Sequence, residues 1–289
     1  DISIRISYDQ IDVDDILSLQ QELNLHPTAY EAAYLLAQKY KNQWLTILLS
    51  PESNAKTLAE EVGGHPESIA ALQRKLRVLQ RFDFIDPQPL SYDPVDTMMQ
   101  ALEHGKSLIV EFGTYSSSFC YLLVANILTR RIHQQYIKRT EEHLANPRLH
   151  AAPTQLVIVI EEAHKFLNPV TAKQTIFGTI AREMRKYYVS LLIVDQRPSG
   201  IDAEILSQIG TKMIAQLNDD KDISAALSGF PNTNDLKNIL ANLESKQHVL
   251  VCGYAVHAPL VIKARTYGPE VYSEVESSQK PLTISADQL

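Results

Sequence analysis

The chain is poor in cysteine and has no long apolar run. Its 289 residues include two cysteines, Cys120 and Cys252, with no CxxC pair and no cysteine–histidine cluster at zinc spacing. This usage excludes a disulfide framework, predicts no structural metal and favours a cytoplasmic location. No apolar stretch approaches the roughly 20 residues that cross a bilayer, and no signal-peptide pattern opens the chain. We therefore expect no membrane partner.

Positive charge is also scarce. The chain has 27 lysines and arginines against 34 aspartates and glutamates, a net charge of −7. This balance argues against a protein that coats nucleic acid over its whole surface. It does not exclude a local basic path such as a pore lining, because the field at a surface follows the distribution of charge rather than its sum.

The chain also lacks a phosphate-binding loop of the form G-x-x-x-x-G-K-[ST]. Gly105-Lys106-Ser107 matches only the end of this motif, because Gln100 stands where the first glycine belongs. A phosphate loop follows a strand and opens a helix, so that helix amides point at the phosphates. Here a helix leads in and an apolar strand-like run, residues 107–112, follows. We interpret these residues as a turn before a strand.

The first hundred residues and the rest of the chain have different patterns. Residues 10–100 have helical apolar spacing, and two helices within residues 55–85 flank Gly63-Gly64. The second of these helices carries four basic residues, which indicate either a solvated face or a DNA contact surface: Arg74, Lys75, Arg77 and Arg81. From residue 105, apolar strands alternate with helices, which predicts a mostly parallel sheet covered on both faces.

Two adjacent acids give the strongest local signal. Glu161 and Glu162 follow Leu156–Ile160, a run of apolar residues that predicts a buried strand. Two carboxylates at a strand end are costly unless a cation or a reacting water uses them. In ATPases the first acid holds Mg²⁺, usually through water, and the second polarises the attacking water. Acids that cap the next turn are the alternative, and the nearby His164 fits an orienting role or a catalytic one.

The next predicted strand also ends in polar residues. The apolar run Leu191–Val194 is followed by Asp195, Gln196 and Arg197. A glutamine at this place can sense a γ-phosphate or hold the attacking water. Upstream, Arg182 and Arg185 are spaced to share one helical face, and either can be a solvated charge or an arginine finger that reaches the phosphates of an adjoining subunit.

These segments together resemble the HerA branch of the HerA/FtsK ATPases. The resemblance covers about Lys106 to Arg265 and rests on an ordered set of motifs: VIVIEEAHKFL, the A-R-E-x-R-K helix, a strand ending in Q-R-P-S and an L-S-Q-I helix. It implies an α/β fold with a RecA-like P-loop NTPase core and an inserted helical subdomain. Residues 10–100 would be the insertion, residues 1–9 and 101–270 the core without its phosphate-loop strand, and residues 271–289 a flexible tail.

The resemblance also implies roles for single residues. Glu161 matches the acid on the Mg²⁺ side, Glu162 the catalytic acid and Gln196 the sensor, while Arg182 or Arg185 matches the finger. ATP and Mg²⁺ would be the cofactors, with Glu161, Gln196 and Arg197 near the nucleotide. Asp195 stands where serine is common in the family, and we expect little effect from this difference.

At the level of the whole protein, the resemblance implies a homo-oligomer, most often a hexamer, that moves double-stranded DNA through its pore. It also implies a nuclease or other effector partner, in DNA end processing or antiviral defence. The chain begins with Asp1 rather than Met, and we expect the phosphate loop upstream of it, so that this chain alone would be inactive. Two alternatives stay open: a non-catalytic, motor-like scaffold that binds a nuclease or DNA, and a sequence-specific DNA binder that uses residues 55–85.

Overall fold

The computed structural model describes residues 3–278 except residues 114, 116, 232 and 245. It leaves the side chains of residues 174, 184, 185, 274 and 276–278 undescribed. The chain divides into two compact units, Asp1–Ile205 and Leu206–Leu289.

In the first unit, a helical region comes before the two longer strands of the predicted core. Its helices are α1 (Val13–Leu17), α2 (Gln20–Leu23), α3 (Pro27–Tyr40), α4 (Trp44–Leu49), α5 (Ala55–Val62), α6 (Pro66–Leu76), α7 (Pro94–Glu103), α8 (Ser118–Ala145), α9 (Thr171–Gln174) and α10 (Ile176–Glu183). Its strands are β1 (Ile6–Ser7), β2 (Ile85–Asp86), β3 (Leu156–Glu161) and β4 (Val189–Val194). Helix α11 (Ala203–Gln208) begins in this unit and ends in the second.

Helices α1 to α7 confirm the prediction that residues 10–100 are mostly helical. The indole of Trp44 is fully buried among them and donates its N–H to the backbone oxygen of Ile11 at 3.1 Å. Helices α5 and α6 are joined at Gly63, whose φ of 70° lies in the left-handed region that glycine adopts without strain. Strand β2 pairs in parallel with β1, so no β-hairpin wing follows α6 in the described residues.

A buried ionic network ties α1 to the long helix α8. The carboxylate of Asp15 is fully buried and accepts from the guanidinium of Arg130 at 2.8 and 2.6 Å and from the amide of Asn126 at 3.0 Å. Burial raises the pKa of Asp15, and the bonds from Arg130 oppose that rise. Asn126 also accepts from the backbone N–H of Ile176, the first residue of α10, at 3.1 Å. One buried carboxylate thus links the helical region to the helix that precedes β4.

The predicted strand over residues 107–112 is wrong. These residues form no strand, and Leu108, Ile109 and Val110 are exposed, with Ile109 87% accessible. No strand of the described chain lies beside them to satisfy their backbone groups, so the apolar pattern alone does not produce a sheet. The described residues therefore do not form the single, mostly parallel sheet that the sequence predicts. The described residues of this unit form two separate parallel pairs, β1–β2 and β3–β4.

The second unit contains an antiparallel sheet and a small apolar core. Its strands are β5 (Thr211–Ile214), β6 (His248–Gly253) and β7 (Leu260–Lys263), in the order β5-β6-β7, and its further helices are α12 (Asp220–Ala226), α13 (Thr233–Ala241) and α14 (Pro269–Ser278). The prediction of two strands joined around Gly253 to Pro259 is confirmed. Helix α14 covers the first part of the predicted tail, and residues 279–289 lie outside the described residues. Among the described residues, none of the helices combines the length and the hydropathy of a membrane-spanning segment.

The network around Asp15 gives a test of the fold. Asp15→Asn leaves the largely enclosed Arg130 without its main counter-charge, and we expect it to lower the free energy of unfolding by about 3–5 kcal/mol. Asp12→Asn is the matched control, because Asp12 binds the same guanidinium at 2.6 Å but is 56% exposed. It should cost about 1 kcal/mol or less. Equal losses in chemical denaturation would contradict a structural role for the buried carboxylate.

Candidate active site

The candidate site lies where β3 and β4 end together. The two strands pair in parallel from Leu156 opposite Val189 to Glu161 opposite Val194. Because neighbouring strands lie about 4.8 Å apart, the residues that follow them leave the sheet side by side. The pairing therefore brings the acid pair next to Asp195 and Gln196, as the alternation of strands and helices predicts for one sheet edge.

The two acids face different environments. Glu161, the last residue of β3, is exposed, and its carboxylate has no hydrogen bond or ion pair within the described part of the chain. Glu162 turns out of the strand with a φ of 52°, a left-handed conformation that is uncommon for a residue with a side chain. Its carboxylate is 43% exposed and lies 3.8 Å from Nδ1 of His164. Neither acid is turned inward to a lysine or arginine partner among the described residues.

Asp195 holds the turn that contains Glu162. Its side chain is only 3% exposed. Oδ2 accepts from the backbone N–H of His164 at 2.7 Å and lies 2.9 Å from His164 Nδ1. Oδ1 accepts from the backbone N–H of Arg197 at 2.6 Å. The carboxylate thus connects the end of β4 to the turn after β3.

Two further contacts connect the loops that follow the strands. The backbone N–H of Asp202 donates to the carbonyl of Leu167 at 2.7 Å, and Asp202 Oδ1 accepts from two N–H groups at the start of α11. Gly200 packs closely on His164, because a Cβ atom at Gly200 would lie 3.1 Å from the histidine Cβ. Both loops are therefore held in place by backbone contacts as well as by Asp195.

The other predicted site residues lie at varying distances from this turn. Gln196 and Arg197 are exposed and follow Asp195 directly at the end of β4. Arg182 lies in the last turn of α10, where its guanidinium is 3.8 Å from the carboxylate of Glu204. No hydrogen bond or ion pair joins Arg182 to the acid pair in the described residues. The backbone of Arg185 belongs to the 3₁₀ turn Met184–Tyr187, but its side chain lies outside the described part of the structure.

One face of the β3–β4 pair is apolar and open. Val157 and Val159 on β3 and Leu192 and Val194 on β4 are each about half exposed. Val159 lies opposite Leu192 in the register, so these side chains form a continuous patch that ends beside Glu161. An apolar face of this kind is normally covered by another packed element rather than left in contact with water.

The contacts of Asp195 are not predicted by the sequence. Little effect is expected from an aspartate at this place, whereas the structure gives the carboxylate three N–H partners on two loops. A signal was present in the sequence. Aspartate followed by Arg197 two residues later and Pro198 three residues later is typical of a turn in which the side chain accepts from the chain ahead.

The strained turn gives a prediction about stability. Glu162→Gly is expected to leave the free energy of unfolding unchanged or to raise it by up to about 1 kcal/mol, because glycine adopts a positive φ without strain. Glu161→Gly is the matched control in an extended strand end, and it should lower the free energy of unfolding by about 0.5–1 kcal/mol. A clear loss for Glu162→Gly in chemical denaturation would show that the Glu162 side chain stabilises the fold.

Comparison with known proteins supports the resemblance found in the sequence. No protein-family model matches the chain. The DNA double-strand break repair helicase HerA of Sulfolobus acidocaldarius is 38% identical over 113 residues, which are 37% of this chain and 22% of the relative. The probable HerA of Methanocaldococcus jannaschii is 31% identical over 163 residues, or 55% of this chain and 31% of the relative. The chain thus spans less than a third of the length of these two curated relatives.

A solved structure resembles the fold over most of the chain. VirB4 of Thermoanaerobacter pseudethanolicus matches 92% of this chain and 75% of its own, with a TM-score of 0.58 and 15% sequence identity. At this identity the likeness concerns the fold alone. It indicates that the chain shares the mixed α/β fold of VirB4. Part of this chain is homologous to the HerA helicases, and its fold is similar to that of VirB4.

Proposed function

We propose that this chain is part of a subunit of a HerA-type, RecA-like motor that uses ATP to move double-stranded DNA. The observation that carries the proposal is the acid pair Glu161–Glu162 at the carboxyl end of β3, beside Asp195 and Gln196 at the end of β4. The relatives that are named DNA repair helicases share 31–39% identity with parts of the chain. A non-catalytic scaffold would not need two adjacent carboxylates at the carboxyl end of a parallel strand pair.

The residues at this edge fit Mg²⁺ held together with a nucleotide. No group of three or more histidine, cysteine, aspartate or glutamate side chains in the described residues is arranged to hold a metal alone. Mg²⁺ is commonly bound by one or two carboxylates together with waters and substrate phosphates. The unpartnered carboxylate of Glu161 would hold the ion through water, and the ion would neutralise charge on the phosphates.

Side chains of this chain would fill the remaining roles in ATP hydrolysis. Glu162, two residues before His164, would accept a hydrogen bond from the attacking water and orient it toward the γ-phosphate. Gln196, exposed at the end of β4, would report the presence of that phosphate through its amide. Arg197 is exposed beside it and would contact the nucleotide.

Arg182 is our candidate for a finger that acts on an adjoining subunit. Its contact with Glu204 at 3.8 Å joins two partly exposed side chains, so it is weak enough to exchange for a phosphate. Arg185 stays an alternative for the same role. The proposal implies an oligomer, and the family resemblance favours a hexamer with duplex DNA in its pore and a nuclease or other effector as partner. An antiviral or end-processing role follows from the same resemblance.

The phosphate loop would be supplied by polypeptide outside this chain. The open apolar face of β3–β4 supports this, because Val159 and Leu192 need a packed element to cover them. A strand and helix that carry the phosphate loop would cover that face and bring backbone amides to the acid pair. The chain alone would then bind ATP weakly or not at all.

Glu162→Gln in the native-length protein tests the proposal. The change keeps the shape of the side chain but removes the carboxylate, and we expect ATP turnover to fall by about 10² or more while nucleotide binding persists. Steady-state ATPase assays with and without duplex DNA, together with equilibrium binding of labelled ATP, measure both properties. Glu141→Gln, on an exposed position of α8, is the control and should retain normal turnover.

Two outcomes would contradict the proposal. Normal turnover in Glu162→Gln would remove the catalytic assignment. Absence of both turnover and nucleotide binding in the unaltered native-length protein would favour the motor-like scaffold that binds a nuclease or DNA.

A further inference from the structure

The carboxylate of Asp195 is more tightly engaged than a solvated residue at a strand end would be. With 3% of its side chain exposed, it accepts three N–H groups that lie within 2.9 Å, two of them on His164. An ionised carboxylate is acceptor-only, so the imidazole must place its proton on Nδ1 to satisfy the contact. The ring of His164 is thereby fixed in one tautomer and one orientation.

The bonds between His164 and Asp195 lie next to the strained backbone of Glu162. Glu162 adopts a φ of 52°, a conformation that costs a non-glycine residue about 1 kcal/mol and persists only where its surroundings hold it. The surroundings that hold it are the bonds from His164 to Asp195 and the close contact of Gly200 with the histidine Cβ. The carboxylate of Glu162 also lies 3.8 Å from the same imidazole nitrogen that faces Asp195.

We propose that His164 and Asp195 form a clamp that positions Glu162. The clamp is defined as the two bonds from the backbone N–H and Nδ1–H of His164 to Oδ2 of Asp195. Its task is to hold the turn in the conformation that presents the Glu162 carboxylate, and His164 transfers no proton. The proposal rests on the function assigned to Glu162 above and adds two positioning residues to it.

The alternative role of His164 is general acid–base catalysis. Histidine is suited to proton transfer near neutral pH. The two roles need different atoms. A clamp needs only an N–H donor at the place of Nδ1, whereas proton transfer needs an imidazole with a free second nitrogen. An amide side chain can supply the N–H donor at the place of Nδ1, but it cannot replace an imidazole in proton transfer.

Two amide substitutions in the native-length protein separate the roles. In His164→Asn the side-chain NH₂ stands close to the place of Nδ1, so the bond to Asp195 can form. In His164→Gln the NH₂ stands one carbon further out, near the place of Nε2, and the bond is lost. We expect His164→Asn to retain kcat for ATP within about 3-fold of the unaltered protein. A displacement of about 1 Å can cost about 10²-fold, and we expect His164→Gln to lose about 10- to 100-fold in kcat with KM changed less than about 2-fold.

Asp195→Asn is a second and independent variant. It keeps one acceptor oxygen for three N–H groups, so at least one of the bonds to His164 or Arg197 must be lost. As for His164→Gln, we expect Asp195→Asn to lose about 10- to 100-fold in kcat with KM changed less than about 2-fold. His104→Asn, at an exposed histidine on the end of α7, is the matched control and should leave kcat unchanged. Thermal unfolding of each variant shows whether a low kcat comes from a folded protein.

The pH profile of kcat completes the test. We expect His164→Asn to keep the shape of the unaltered profile, because the clamp transfers no proton. If His164→Asn is as slow as His164→Gln and loses one limb of the profile, His164 acts in proton transfer and the clamp is overturned. If a folded His164→Gln and a folded Asp195→Asn both keep normal kcat, the clamp is also overturned. A Glu162→Gln protein with normal turnover is a separate result, which defeats the proposed function rather than the clamp alone.

Discussion

The parallel pairing of β3 with β4 is the constraint on which the candidate site depends. Six residue pairs, from Leu156–Val189 to Glu161–Val194, set the register. Since side chains alternate between the faces of a strand, a slip of one residue would move every apolar side chain to the opposite face. The register therefore fixes both the buried face of the pair and the place where the acids and Asp195 leave it.

Polar contacts then hold the elements around this pair. At the carboxyl edge, Asp195 connects the two loops that follow the strands. Elsewhere in the unit, Asn126 links the buried Asp15 to the first N–H of α10, the helix that ends with Arg182 and Glu183. A fully buried charge is costly unless all its bonds are made. The helical region is thus connected to α8 and, through Asn126, to α10 by bonds that cannot be lost without a large penalty.

The sequence predicts much of this arrangement. Periodicity and apolar runs identify the helical region, the long helix α8 and the strands β3 and β4 with the acids at their ends, because these are long and regular signals. The run over residues 107–112 misleads, since a strand needs a neighbour as well as an apolar pattern. The local pattern after Asp195 indicates its bond with the Arg197 N–H, but the bonds to His164 and the positive φ of Glu162 depend on a segment 31 residues away, which no local pattern specifies.

The central claim is that the acid pair serves a bound nucleotide. A structure of the native-length protein with a non-hydrolysable ATP analogue and Mg²⁺ tests it most directly. The account predicts that the γ-phosphate and the ion lie at the carboxyl ends of β3 and β4, with Glu161 on the side of the metal and Glu162 facing the phosphate. A nucleotide bound away from this edge, with both glutamates directed to other protein groups, would contradict the account.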